Sequence, residues 1–394
     1  MGLTTLVGGA IALLLSLSQG SQAQEPTSEP ANLFDLISPD EPSTVMDAPE
    51  VRGVWLTNID SDVLFSSSHL KASLEQLAQI HFNTVYPSVW NWGYTLFPSP
   101  VAEEALGVEV DPHPALQQRD MLAEAVEEGH RLGLAVIPWF EFGLMVPSYS
   151  ELARRHPDWI TAREDGSTVV MQGRHPRRWL NPLHPQVQDF LVDLVADVVT
   201  RYDVDGIQLD DHFGMPIELG YDPYTVAQYQ AEHDGDDPPS DRQDAEWIEW
   251  RSQHVTALME RIVQRVQAIK PDCIISLSPN PSDFAYQNYA QDWNSWLEKG
   301  WLDELIVQVY RSDLSSFTSV LDDSTLQAQR QQTLTSIGIL TGLKNSPTPA
   351  PQIREQVETA RDRQYSGVSF FFYESLGDRN EFYQSLFPHP APRT

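Results

Sequence analysis

Eight short apolar segments, each of strand length and each followed by a helical pattern, constrain this chain more than any other feature. They lie at residues 51–56, 83–90, 134–140, 206–210, 274–278, 305–310, 337–341 and 367–373. Between them, apolar residues recur at helical spacing over 70–80, 121–132, 187–199, 247–269, 286–297 and 353–363, with a weaker stretch at 321–334. Strict alternation of strand and helix predicts a parallel sheet covered by helices, and eight such units predict closure into an α/β (β/α)8 TIM barrel. An open doubly wound sheet would need a glycine-rich phosphate loop after its first strand. Leu56-Thr57-Asn58-Ile59-Asp60 is not one. Two segments are long enough to be inserted loops: 142–183 after the third strand and 212–241 after the fourth. Loops of that length at strand C-termini usually shape a site.

The ends of the chain read differently. Residues 1–23 hold no charged side chain, and the apolar run 11–17 has the length of a signal-peptide core, too short to span a membrane. Ser21-Gln22-Ala23 supplies the small residues of a cleavage site, so the protein is expected to be exported, to the periplasm or the cell exterior, with no membrane insertion after cleavage. Residues 24–50, rich in Pro, Ser, Glu and Asp, read as a flexible linker, and 51–390 as one catalytic domain. Cys273 is the sole cysteine, so no internal disulfide forms; flanked by Ile274 and Ile275, it reads as a buried hydrophobe. The formal net charge of −31 excludes nucleic acid as a partner. It also disfavours polyanionic substrates unless the cleft is locally basic.

In a closed barrel, reactive groups sit where strands end. Glu141 ends the third strand, Asp210 and Asp211 the fourth, and Glu374 follows the eighth. Alternation turns Gln208 and Asp210 toward the barrel axis and leaves Asp211 at the rim. Adjacent carboxylates at a strand mouth raise each other's pKa, as an acid/base pair requires. These four are the candidate catalytic groups; as ion-pair partners instead, Glu141 and Glu374 would face Arg52 or Arg311. Indoles stack on sugar faces, so Trp55, Trp90, Trp139 and Trp179 are candidate substrate contacts. His212, Asn280, Tyr310 and Lys344, near the ends of strands four to seven, complete the polar lining. The sequence holds no HExxH zinc motif, nucleophile elbow or phosphate loop. The triplet Asp210-Asp211-His212 is the only ligand-like pattern, and we expect neither metal nor other cofactor. Two-carboxylate hydrolysis of a polysaccharide or glycan strand follows, with a non-catalytic glycan-binding barrel as the alternative. Pairing Asp210 with Glu141, from adjacent strands, favours the roughly 5–5.5 Å separation of retaining enzymes; pairing it with Glu374, across the barrel, favours the roughly 6.5–9.5 Å of inverting ones.

Three motifs carry a resemblance: Val51-Arg52-Gly53-Val54-Trp55-Leu56-Thr57-Asn58, then Trp179-Leu180-Asn181-Pro182 with His184-Pro185, then residues 202–211 ending in Asp210-Asp211. In this order, over roughly residues 51–386, the chain resembles a bacterial glycosyl-hydrolase-like family formerly known as a domain of unknown function. Some members cleave the glycan strands of peptidoglycan after the stem peptides are removed. The resemblance implies a barrel, export and a catalytic aspartate falling on Asp210 or Asp211. It also places Asn58, Trp179, Asn181 and Tyr310 along the cleft. Two departures from the family pattern are His212-Phe213-Gly214 after the aspartate pair and Glu141, rather than Asn, at the end of the third strand.

Overall fold

A computed structural model describes residues 46–343 and 346–393. The expected leader, most of the linker and Lys344 lie outside the described residues. Eight parallel strands form one sheet: β1 (Val51–Leu56), β2 (Thr84–Pro87), β3 (Ala135–Val136), β4 (Gly206–Asp210), β5 (Ile274–Ser278), β6 (Glu304–Gln308), β7 (Leu334–Leu340) and β8 (Gly367–Phe371). They pair in the order β3-β2-β1-β8-β7-β6-β5-β4. Hydrogen bonds from Asp205 N–H to Val136 O (3.1 Å), Gln208 N–H to Pro138 O (2.8 Å) and Phe140 N–H to Gln208 O (2.9 Å) join the ends and close the barrel. Each strand leads to a covering helix: α1 (Ser67–Gln79), α2 (Met121–Arg131), α3 (Pro185–Arg201), α4 (Ala245–Ile269), α5 (Trp293–Glu298), α6 (Leu314–Leu321), α7 (Ala350–Asp362) and α8 (Asn380–Leu386). The strands read as apolar runs because both faces are covered, one by these helices and one by the barrel interior. No helix among the described residues is long and apolar enough to cross a membrane.

Two helix expectations are corrected. The stretch 286–297 is not one helix: it breaks at Ala290, which adopts a left-handed φ of 49°, between Ser282–Tyr289 and α5. The break turns Gln291 inward, where its amide donates to the carbonyls of Asp210 (2.8 Å) and Phe213 (3.0 Å). The stretch 321–334 divides into the end of α6 and a short helix, Ser324–Gln329, while Leu334 opens β7. The third-strand insert forms a three-stranded antiparallel sheet from Met145–Pro147, Val170–Gln172 and His175–Trp179. The fourth-strand insert carries the helix Pro223–Glu232.

The folded unit reaches beyond residues 51–390 at both ends. Asp47 and Glu50 pair with Arg52, each at 2.8 Å, and their backbone N–H groups donate to Pro390 and Pro392 carbonyls. Arg393 reaches the barrel interior and meets Glu304 at 2.6 Å; the glutamate is fully buried. Glu304 also accepts from Ser276 (2.7 Å) and Tyr86 (3.2 Å), and Gln208 bridges Ser276 to the Trp55 indole. Above this polar floor, Trp55, Tyr86, Ile137, Trp139, Ile306 and Phe372 form a separate apolar cluster.

Candidate active site

The C-terminal mouth of the barrel gathers three carboxylates. Asp210, at the end of β4, faces the axis as alternation requires and is 1% exposed. Its Oδ2 accepts from the Trp139 indole (3.1 Å), and its Oδ1 from the His212 backbone N–H (2.9 Å). Burial, opposed by His212, raises its pKa to about 6. Glu141 lies one residue past Phe140, whose N–H bonds β4, and is 4% exposed. The Thr57 hydroxyl (2.8 Å) and the Asn91 amide (2.7 Å) both donate to its Oε2. Burial dominates here too and holds its pKa at about 8. Asp211 is the most accessible of the three, with 19% of its side chain exposed. Asn280 donates to its Oδ2 (3.0 Å) and Gln308 to its Oδ1 (3.2 Å). Burial first, then the nearby acidic groups, hold the Tyr310 hydroxyl well above the ordinary tyrosine range.

His212 ties the group together. Its Nδ1 lies 2.9 Å from the Glu141 carbonyl, 3.4 Å from Asp210 Oδ2 and 3.6 Å from Asp211 Oδ1. Burial opposes a charge on the ring, but the two aspartates outweigh it and raise its pKa to about 10. A carbonyl oxygen only accepts, so Nδ1 carries a proton. Asp210, Asp211 and His212 bring three ligand-type atoms within 4.8 Å, the sole such group among the described residues. The Nδ1 proton shared with Glu141 O removes the histidine as a ligand through that atom. The backbone packs closely here: Gly143 has φ +47°, and a Cβ on it would fall 2.7 Å from the His212 carbonyl carbon. No other residue fits without displacing His212.

The remaining candidates are sorted by burial. Glu374 stands apart, half-buried, accepting from Ser61, with His69 and Asp62 nearby. Neither it nor Glu141 is an ion-pair partner of Arg52 or Arg311. Arg52 takes Asp47 and Glu50, and Arg311 bonds Tyr310 O. The expected stacking faces of Trp55, Trp90, Trp139 and Trp179 are corrected: all four are at most 4% exposed. Their indole N–H groups are committed to Gln208, Gly143 O, Asp210 and Gly214 O respectively. Asn181 is also structural, fully buried and bonded to Asp222 (3.0 Å) and Thr225 (2.9 Å). Asn58, partly buried, accepts from Asn91 (2.7 Å) beside Glu141. Aromatic surface at the mouth comes instead from Tyr310 and Phe371, whose rings lie 5.7 Å apart. Thr57, Asn91, Gln291 and Gln308 were absent from the expected site. Alternation places Gln308 on the same face as Tyr310; nothing in the sequence marks the other three.

A closed parallel barrel with carboxylates gathered at its C-terminal mouth is an architecture that glycoside hydrolases use, among other enzymes. The chain belongs to the glycosyl hydrolase-like 10 family, matched over residues 50–359. It is 26% identical to glycosyl hydrolase DigH of Escherichia coli K12, covering 76% of this chain and 73% of that one. It is 27% identical to glycosyl hydrolase YngK of Bacillus subtilis, covering 67% of this chain and 54% of that one. Among solved structures, the PgaB (BpsB) glycoside hydrolase domain of Bordetella bronchiseptica has the same fold. The TM-score is 0.65 at 14% identity, covering 87% of this chain and 99% of that one. Alpha-L-fucosidase isoenzyme 2 of Paenibacillus thiaminolyticus matches with a TM-score of 0.60 at 19% identity, covering 86% and 48%.

Proposed function

We propose that this protein is an exported glycoside hydrolase that cleaves a bacterial cell-wall or extracellular glycan with two carboxylates and no cofactor. The observation that carries the reading is that Glu141, Asp210 and Asp211 meet at the barrel mouth around His212, whose Nδ1 lies within 3.6 Å of the Glu141 carbonyl and of both aspartate carboxylates. Glu141, with its pKa near 8, holds a proton at neutral pH and is the general acid. Asp211, accessible and oriented by Asn280 and Gln308, is the carboxylate that meets the sugar ring on the other side of the bond. Asp210 holds His212 and the floor of the site. This assignment keeps Glu141 from the expected pairings, moves its partner from Asp210 to the accessible neighbour and leaves Glu374 outside.

Peptide-free peptidoglycan strands, which some members of the resembled family cleave, are the first substrate to test. The test is release of new reducing ends from such strands, from peptide-bearing strands and from neutral polysaccharides. Activity on at least one is expected. Binding without release would make the protein a glycan-binding barrel instead.

Two further outcomes follow. The rate should be bell-shaped in pH: it falls below about 6 as Asp210 takes a proton and loosens His212, and above about 8 as Glu141 loses its own. A flat profile across that window would remove Glu141 as the acid. Glu141 and Asp211 come from adjacent strands, about 4.8 Å apart along the sheet, which favours retention. Proton NMR of the first-formed product should therefore show the substrate's anomeric configuration. Export rests on the leader: sequencing of the native protein should find a mature N-terminus near Gln24, and Met1 or Gly2 there would refute it.

A further inference from the structure

The central strand of the third-strand insert, His175–Trp179, carries an arginine whose surroundings leave its charge unanswered. Arg177 is 5% exposed, yet its guanidinium makes no ion pair and no hydrogen bond with any described residue, and its Nε is buried without a partner. Aromatic faces hold it: its guanidinium carbon lies 4.5 Å from the centre of the Trp92 ring and 5.0 Å from that of Phe142. Such stacking fixes the plane of the guanidinium but supplies none of the acceptors its N–H groups require. An enclosed cation without acceptors is costly unless something else supplies them.

The place of Arg177 says what that something is. Phe142 follows Glu141 directly, and its ring lies 6.1 Å from that of His212. Arg174, His175 and Arg178 flank Arg177, a basic cluster in a chain of net charge −31. A chain whose charge repels anions in general thus holds an unpaired guanidinium at a defined place, stacked on the residue that follows Glu141. A planar fork with free donors matches a carboxylate better than any neutral sugar group.

We propose that Arg177 is the specificity-determining residue of the cleft: stacked on Trp92 and Phe142, it binds a carboxylate carried by a sugar next to the cleaved bond. This rests on the glycosidase reading for the identity of that bond. The binding claim can be measured separately. The probe is peptide-free peptidoglycan strands in two forms, one with lactyl carboxylates free and one with them reduced to alcohols.

Wild type should bind and cleave the carboxylate form roughly 10- to 100-fold better, mainly through KM. Arg177→Met, which keeps the apolar contact with both rings, should erase the difference, and Arg177→Lys should keep part of it. A wild type that treats the two forms alike overturns the proposal whatever the variants do, and so does an Arg177→Met protein that keeps the preference. If thermal melting shows that Arg177→Met does not fold, the wild-type comparison and Arg177→Lys decide. Calorimetry separates the two claims. Carboxylate-dependent binding without cleavage sustains Arg177 and sinks the hydrolase; cleavage without preference does the reverse. Binding to neither form overturns the role of Arg177.

Discussion

Glu141→Gln and Asp211→Asn should each lower kcat by about 10²- to 10⁴-fold, the usual worth of a positioned acid or base. Neither should disturb the fold at neutral pH. Gln is the neutral isostere of a carboxyl already kept protonated by burial, and its carbonyl can accept from Thr57 and Asn91 as Glu141 does. Stability gives an independent check with a definite sign. The folded-state pKa of Glu141, about 8, lies above its ordinary value of 4.5, so the unfolded chain ionises first. Wild-type stability from this group is complete below the ordinary value and is lost as pH rises through about 8. Glu141→Gln carries no such loss. Its melting temperature should match wild type in mild acid and exceed it in alkali, even as activity disappears. Glu374→Gln, whose partners are Ser61 and the residues around it, should leave kcat within a fewfold of wild type. An equal collapse there would return Glu374 to the site.

The second large effect is on stability, at the opposite end of the barrel. Arg393→Ala should cost about 3–5 kcal/mol, because removing one partner of a buried pair leaves an uncompensated charge. The charge left behind is Glu304, fully buried and met by Arg393 at 2.6 Å. Urea unfolding should show a lower midpoint with little change in slope. Adding Glu304→Gln to the same chain should recover much of the loss, since the amide needs no counter-ion. If Arg393→Ala unfolds at the wild-type midpoint, the C-terminal segment is an ornament rather than part of the barrel.

These outcomes divide along the line between what periodicity records and what it does not. The barrel was legible because parallel strands covered on both faces appear as apolar runs, and β1, β4 and β5 begin and end where those runs do. Alternation alone turned Asp210 inward. The same logic misled for the tryptophans: an indole at a strand end satisfies a core as readily as a cleft, and Trp90 and Trp179 fill the core. Helical spacing continued through 286–297, yet Ala290 breaks it so that Gln291 can hold the Asp210 carbonyl, a tertiary demand with no local signature. Thr57, Asn91 and Arg177 are ordinary residues in the sequence. Their roles come from neighbours 84, 50 and 85 positions away, at Glu141 for the first two and at Trp92 for the third.

Hydrolysis itself is tested most directly by digesting peptide-free peptidoglycan strands in heavy-oxygen water and weighing the products. If Glu141 and Asp211 deliver water to the glycosidic carbon, each new reducing end should carry one heavy oxygen, and Asp211→Asn should produce almost none. Anhydro-sugar ends without the label, labelled ends undiminished in Asp211→Asn, or bound strands left uncut would contradict the account.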